Sequence, residues 1–418
     1  MGWPCSRSNS RLHSENNIIN KIVIISKYYK PEIGAPQNIL FEIATGLKRN
    51  GFEISVITGM PNYPNGKIQR QYQGKFYLKE CIDDIVVRRY WLYASNSGKR
   101  IPRILNMLSF SFNVFFSTWY IYKKKFDYVI VESPPLTLGL SGYILAKISK
   151  SKLILNISDL WPLTAKELGV ISNGFFYRFL ERIECFLYKK SFICMGQSQE
   201  IVNYLSSHGA RRSYLFRNGV DPQRFERKEL IEKEKPIRIV YTGLLGIAQG
   251  ILDICLNIDF SKLGVEFHIY GSGNEKERLE HFLNLNPNRG IFYHGSVSRE
   301  EIPSVLLKYS ATLIALVKNI YGAVPSKIYE SMAAGLPIIF SGEGEGRSII
   351  EEYDLGWTSS AKNYDELKIN IQILCTNKVD FEIKKRNCLN AANEFFNRPK
   401  QVENLSHYLK FCHRNKNL

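Results

Sequence analysis

Short runs rich in Val, Ile, Leu and Phe recur along this chain, separated by stretches long enough for a helix. The first set is Lys21 to Ser26, Glu53 to Thr58, Asp127 to Glu132, Lys152 to Ile157 and Ser191 to Met195. After an interruption the pattern restarts with Ile237 to Thr242, Val265 to Tyr270, Gly290 to His294, Ala311 to Leu316 and Pro337 to Ser341. Continuous apolar runs of this kind suit strands buried on both faces, and strands alternating with helices build parallel sheets. The expectation is an α/β protein of two Rossmann-like, doubly wound domains facing a central cleft, where ligands of open sheets bind. A length of 418 residues exceeds one ordinary core and agrees with two domains.

The interruption runs from Arg217-Asn218-Gly219-Val220-Asp221 through a charge-rich stretch to Lys235. It divides the chain into a polar leader (1–20), a first domain (21–220), a linker (221–235), a second domain (236–390) and a terminal helical segment (391–418). In that last segment Phe395, Phe396, Val402, Leu405 and Tyr408 form a helical stripe broken by Pro399. The leader lacks an apolar secretory core, and the eight cysteines show no CxxC pair, so neither a zinc site nor a disulfide framework is indicated and a reducing cytoplasm fits.

Charge is uneven. Residues 1 to 225 hold 31 Lys+Arg against 15 Asp+Glu, net +16, whereas 226 to 418 hold 25 against 24, net +1. A basic first half implies an anionic partner: a lipid headgroup surface, a lipid diphosphate or nucleic acid. Nucleic acid is the weakest of these, because no binding motif and no aromatic-interleaved basic stripe is present. The uncharged run Ile104 to Tyr122 is bracketed by Lys99, Arg100 and Arg103 on one side and Lys123 to Lys125 on the other. It is expected to be a helix with one side docked on the first domain and aromatic residues such as Phe115, Phe116 and Trp119 in the headgroup region.

The densest chemistry lies in Pro325 to Phe340. Ser326 is placed to cap a helix, Lys327 and Glu330 stand three apart on one face, Gly335 stops the helix and Pro337 opens a buried strand. Lys327 at a helix start suits a phosphate, and Glu330 suits sugar hydroxyls. An ordinary surface Lys–Glu pair has the same spacing. Gly243, Gly246 and Gln249, in the turn Gly243 to Gly250 after a strand, let backbone approach a diphosphate, and Gly271 marks a similar turn. His294 ends a strand and could touch a base or phosphate. On the first half, Glu32 and Gly34 lie in the loop after the opening strand, and Asp159 with Trp161 in Asn156 to Pro162 ends another. Asp159 also fits an N-cap. Asp83-Asp84 reads as a turn before the strand Ile85 to Arg89 rather than a metal pair, since no third oxygen ligand flanks it.

Four of these segments together resemble the retaining GT-B glycosyltransferases of glycosyltransferase family four: Tyr28 to Gly34, Asn218 to Asp221 ahead of Arg224-Phe225, Thr242 to Gly250, and Pro325 to Pro337. The resemblance spans Lys21 to about Tyr408 and implies a cleft enzyme whose terminal helix returns to the first domain. It implies that Glu330, the second of a paired-glutamate motif, meets the nucleotide ribose. The first glutamate falls on Gly322, and the family's Arg and Lys in the diphosphate turn are Leu244 and Gln249, which leaves Lys327 as the main cation. The Gly322 departure implies a donor sugar presenting different groups there, such as a deoxy or N-acetylated sugar. Among family members the segment Asp159 to Pro162 and the basic first half resemble O-antigen and capsule enzymes, including N-acetylfucosamine transferases.

The expected function is transfer from a UDP-sugar to a polyprenyl-diphosphate-linked oligosaccharide, without cofactor or metal, on the inner face of the cytoplasmic membrane. Lys327, Glu330 and Asp159 are the expected catalytic residues. Gly243, Gly246, Gln249, Gly271, His294 and Ser326 join Lys327 and Glu330 on the donor side, with Glu32, Gly34, Asp159 and Trp161 on the acceptor side. A UDP-GlcNAc epimerase of the same architecture is the alternative, and it would need no acceptor.

Overall fold

A computed structural model describes residues 20–32, 34–97, 99–225 and 236–415. All of the expected leader but Asn20 and most of the expected linker lie outside them. The chain divides into two compact units, Met1–Arg217 with Pro399–Leu418, and Asn218–Arg398.

The first unit holds an eight-stranded sheet. Its strands are β1 (Lys21–Ser26), β2 (Glu53–Gly59), β3 (Tyr77–Ile82), β4 (Ile85–Tyr90), β5 (Tyr128–Ser133), β6 (Lys152–Ile157), β7 (Ile193–Gly196) and β8 (Ser213–Leu215). The order is β3-β4-β2-β1-β5-β6-β7-β8, parallel throughout except for the β3–β4 hairpin. The hairpin turn is Asp83-Asp84, both with positive φ (49° and 55°), the conformation a two-residue hairpin loop needs and Asp tolerates. Central strands are buried along their length, with Ile22, Ile24, Val56, Tyr128, Ile130 and Ile154 in one cluster.

The second unit holds a six-stranded, all-parallel sheet of β9 (Ile237–Leu244), β10 (Val265–Ser272), β11 (Ile291–Tyr293), β12 (Ala311–Ala315), β13 (Ile338–Ser341) and β14 (Gly356–Ser359), ordered β11-β10-β9-β12-β13-β14. Two apolar clusters cover its faces. Every run read as a strand from sequence is one here. Edge strands β3, β8 and β14 went unread: β8 and β14 are three and four residues long, and β3 is only half buried.

The terminal segment differs from the single broken helix expected. One helix, Lys378–Glu394, belongs to the second unit, and another, Arg398–Arg414, starts beside Pro399. From Pro399 onward the chain belongs to the first unit, with Val402, Leu405 and Leu409 in its core and the Tyr128 hydroxyl donating to the Leu409 carbonyl (2.8 Å). Phe395 is exposed, while Phe396 is buried in the second unit.

Between β4 and β5 lies the helical stretch Ile101–Lys124, 24 residues long and apolar enough to cross a membrane by length and composition. Both flanking strands belong to one sheet, so the stretch runs along the unit. Its polarity is largely inverted: beside Phe110, Val114 and Ile121, the polar Asn106, Ser111, Asn113 and Ser117 are buried, whereas Ile104, Leu108, Phe112, Phe116, Trp119 and Tyr122 are exposed. The buried polar groups are hydrogen-bonded, as burial requires. Asn106 donates to the Tyr93 carbonyl (2.7 Å), Asn113 to the Trp91 carbonyl (2.8 Å), and the Ser111 carbonyl accepts from Ser141 (2.7 Å). Phe115, expected outside, is half-buried.

Candidate active site

In the second unit β9 ends at Gly243 and Leu244, and the helix Lys327–Ala333 presents Lys327 to that strand end. Gly243 has φ 144°, and a Cβ there would collide with Cε and Nζ of Lys327. The Lys327 ammonium lies 5.1 Å from the centre of the Tyr241 ring. It forms no ion pair among the described residues, and burial depresses its pKa while Glu330 opposes that. Glu330 is half-buried and its pKa is raised by burial, offset by Arg299, then Arg224, then Lys327. Arg224 also donates to the Arg299 carbonyl (3.4 Å). Three cations around one carboxylate leave net positive charge, which suits an anionic ligand.

The turn after β9 closes through Gln249 and Gly250 N–H groups donating to the Gly246 carbonyl (3.0 and 3.3 Å). The Gln249 Oε1 is buried with no partner among the described residues, an acceptor available to a ligand N–H or O–H. Gly271 is explained by packing: its N–H donates to the Gly295 carbonyl (2.7 Å), and a Cβ would collide with the Gly243 carbonyl oxygen. Ser326 departs from expectation, because its hydroxyl forms no cap and its backbone is already helical (φ −60°). His294 is exposed and pairs with His268 (2.8 Å), which reaches Glu266 (3.1 Å); burial lowers both imidazole pKa values. Gly322 is buried with φ 85°, where a glutamate would be strained.

In the first unit Glu32 is buried and spends its carboxylate on backbone. It accepts from Asn62 (2.7 Å), Tyr63 (2.8 Å) and Tyr29 (3.3 Å), tying two loops together. Gly34 is extended (φ −178°) and leaves room for Gln37, whose Oε1 a Cβ would strike. Asp159 stands after β6 with solvent access, and its flanking walls raise its pKa by desolvation. It caps nothing, since the next helix, Leu163–Glu167, starts from Pro162. Trp161 sits half-buried beside it. The neighbouring Glu132, buried at the end of β5, accepts from Asn156 (2.6 Å), and burial pushes its pKa up to about 7.

The structure thus brings Lys327, Gly243 and Glu330 together in one unit and sets Asp159 beside Glu132 in the other. Sequence reasoning missed Arg224, Arg299 and Glu132. Arg224 was within a quoted segment and Glu132 at a strand end, but nothing local marked Arg299.

Residues 222–395 match the family model described as glycosyl transferases group 1. That match takes in nearly all of the second unit and, with relatives named as glycosyltransferases, supports a transferase. The chain is 25% identical over 343 residues to the Escherichia coli protein named "Putative colanic acid biosynthesis glycosyl transferase WcaI", covering 77% of this chain and 83% of that one. Among solved structures, sucrose-phosphate synthase from Thermosynechococcus elongatus superposes with a TM-score of 0.71 at 15% identity, covering 94% of this chain and 99% of that one. Anabaena HepE, solved with UDP and glucose, does so with a TM-score of 0.65 at 14% identity over 94% of this chain and 99% of its own. The fold is GT-B.

Proposed function

We propose that this glycosyltransferase transfers a sugar, with retention, from a UDP-sugar to a polyprenyl-diphosphate-linked oligosaccharide in surface polysaccharide assembly, at the cytoplasmic face of an anionic membrane and without a metal. The observation that carries it is the Lys327 ammonium held against Gly243 with Glu330 alongside. Lys327 and the turn after β9 would hold the diphosphate, and Glu330 would accept from ribose hydroxyls. The acceptor hydroxyl attacks the anomeric carbon on the face the diphosphate leaves. The new C–O bond forms as the old one breaks, and the hydroxyl proton passes to the departing diphosphate, whose charge Lys327 stabilises. Asp159 and Glu132 would line the acceptor side.

HepE holds UDP and glucose, and WcaI is named for a polysaccharide, which supports donor and pathway class. A glycine at Gly322 favours a donor such as an N-acetylated deoxy sugar. The outward apolar face of Ile101–Lys124, with Arg103 and Lys123 to Lys125 near its ends, supports membrane docking. The test is transfer from a panel of UDP-sugars to a synthetic polyprenyl-diphosphate sugar, reading product and anomeric configuration. A retained, acceptor-dependent product is expected. An inverted product, or sugar released with no acceptor present, would overturn the reading.

A further inference from the structure

A cavity of about 370 Å³ in the first unit lies where β1 ends and the Ile101–Lys124 stretch begins, lined by Lys27, Tyr28, Ser95, Ser97, Arg103 and Asn106 among others. Lys27 directly follows β1 and is 8% exposed. Its ammonium donates to Asn106 Oδ1 and lies 4.6 Å from the centre of the Tyr28 ring. Asn106 is itself oriented by donating to the Tyr93 carbonyl. A buried ammonium normally sits beside a carboxylate. Lys27 forms no ion pair among the described residues, and Glu32, the nearby acid, is spent on three backbone N–H groups. The second charged group facing it is Arg103, a like charge, and burial, opposed by Glu32 and aided by Arg103, lowers the Lys27 pKa to about 8. The Arg103 N–H donates to the Lys99 carbonyl (3.4 Å), and its guanidinium makes no hydrogen bond among the described residues. The Ser95 and Ser97 hydroxyl oxygens accept from the N–H groups of Ser97 and Lys99 (3.2 Å each), which leaves their O–H groups to donate into the space.

The lining therefore offers two cations and several donors, with its main acceptor already used. We infer that this cavity binds the diphosphate of the lipid-linked acceptor, with Lys27 and Arg103 each facing phosphate oxygens. The lipid follows from continuity. Arg103 lies on the stretch that exposes Ile101, Ile104, Leu105 and Leu108, so an anion in the cavity has an apolar track beside it. This assignment rests on the acceptor class proposed above.

The test titrates the full chain with farnesyl diphosphate, farnesyl phosphate, farnesol and inorganic pyrophosphate by calorimetry. Farnesyl diphosphate is expected to bind most tightly, and R103Q and K27M should each weaken it roughly ten- to a hundredfold. Farnesol binding should be unchanged by either substitution. UDP binding, which belongs to the other unit, should also be unchanged. K27M removes a buried charge and should not lower thermal stability; R103Q alters an exposed residue, so its result stands whatever K27M does. Equal farnesyl diphosphate affinity in both variants and wild type overturns the site. Pyrophosphate binding as tightly as farnesyl diphosphate overturns the lipid assignment in favour of a free anion. Transfer to a polyprenyl-diphosphate acceptor with unchanged acceptor KM in both variants would overturn the site and leave the acceptor class standing. Failure of any such transfer by wild type would remove the acceptor class instead.

Discussion

Lys327 occupies the space that a side chain at Gly243 would need. A glycine closing a strand and a lysine opening a distant helix are thereby one structural element, and the ammonium is aimed by the absence of a Cβ. G243A should displace Lys327 and also strain a backbone at φ 144°. The expected outcome is a loss of kcat/KM of tenfold or more with a melting temperature only a few degrees lower, measured by steady-state transfer and calorimetry. Unchanged kcat/KM would show that Lys327 needs no such placement.

K327A and E330A should each reduce transfer by about ten- to a hundredfold, the cost of a charge-assisted hydrogen bond in a closed site. E330A should also weaken UDP binding, read by calorimetry. Near-normal turnover in both variants would place the donor elsewhere.

Activity should persist in EDTA and gain nothing from added manganese or magnesium, because Lys327 would do the work of a cation on the diphosphate. Among the described residues no three His, Cys, Asp or Glu side chains converge as a metal site. Loss of turnover in EDTA that manganese restores would refute it.

The inverted helical stretch makes a membrane prediction. Serine at Phe112, Phe116 and Trp119, all exposed, should sharply reduce flotation with anionic vesicles while leaving the fold intact, since the ring that Phe116 meets edge-on, Phe76, is exposed as well. Wild-type flotation should weaken with salt. Equal binding to neutral vesicles at high salt would count against an electrostatic headgroup contact.

Glu184 is buried, accepts from Tyr188 (2.6 Å) and Tyr204 (3.2 Å), and burial pushes its pKa up to about 7. The folded state therefore holds a proton that the unfolded chain releases above roughly pH 4.5. Stability should fall as pH rises from about 4.5 to 7, by on the order of 3 kcal/mol from this group, and then level off. Glu132 acts in the same direction. Urea midpoints between pH 5 and 8 should fall less steeply in E184Q than in wild type, and an equal slope would show that Glu184 is ionised throughout.

The sequence by itself determined the parallel cores of the two sheets, because an uninterrupted apolar run between helix-length gaps has few other uses. It also determined the Asp83-Asp84 turn and the proximity of Lys327 to Glu330, both local matters of spacing. Tertiary structure alone decided what surrounds those residues. The meeting of Gly243 with Lys327, the approach of Arg224 and Arg299 to Glu330, and the burial of Lys27 beside Arg103 join segments far apart in the chain, and no periodicity encodes such meetings. It decided as well that Glu32 would anchor a loop and that Ser326 would cap nothing, since hydrogen-bond partners depend on which backbone groups the packing leaves unpaired. The stretch 101–124 shows both sides of this division. Its composition announced an apolar helix, but only the fold turned Asn106, Ser111 and Asn113 inward and Phe112, Phe116 and Trp119 outward, because the neighbouring chain offered carbonyls and hydroxyls to bury against.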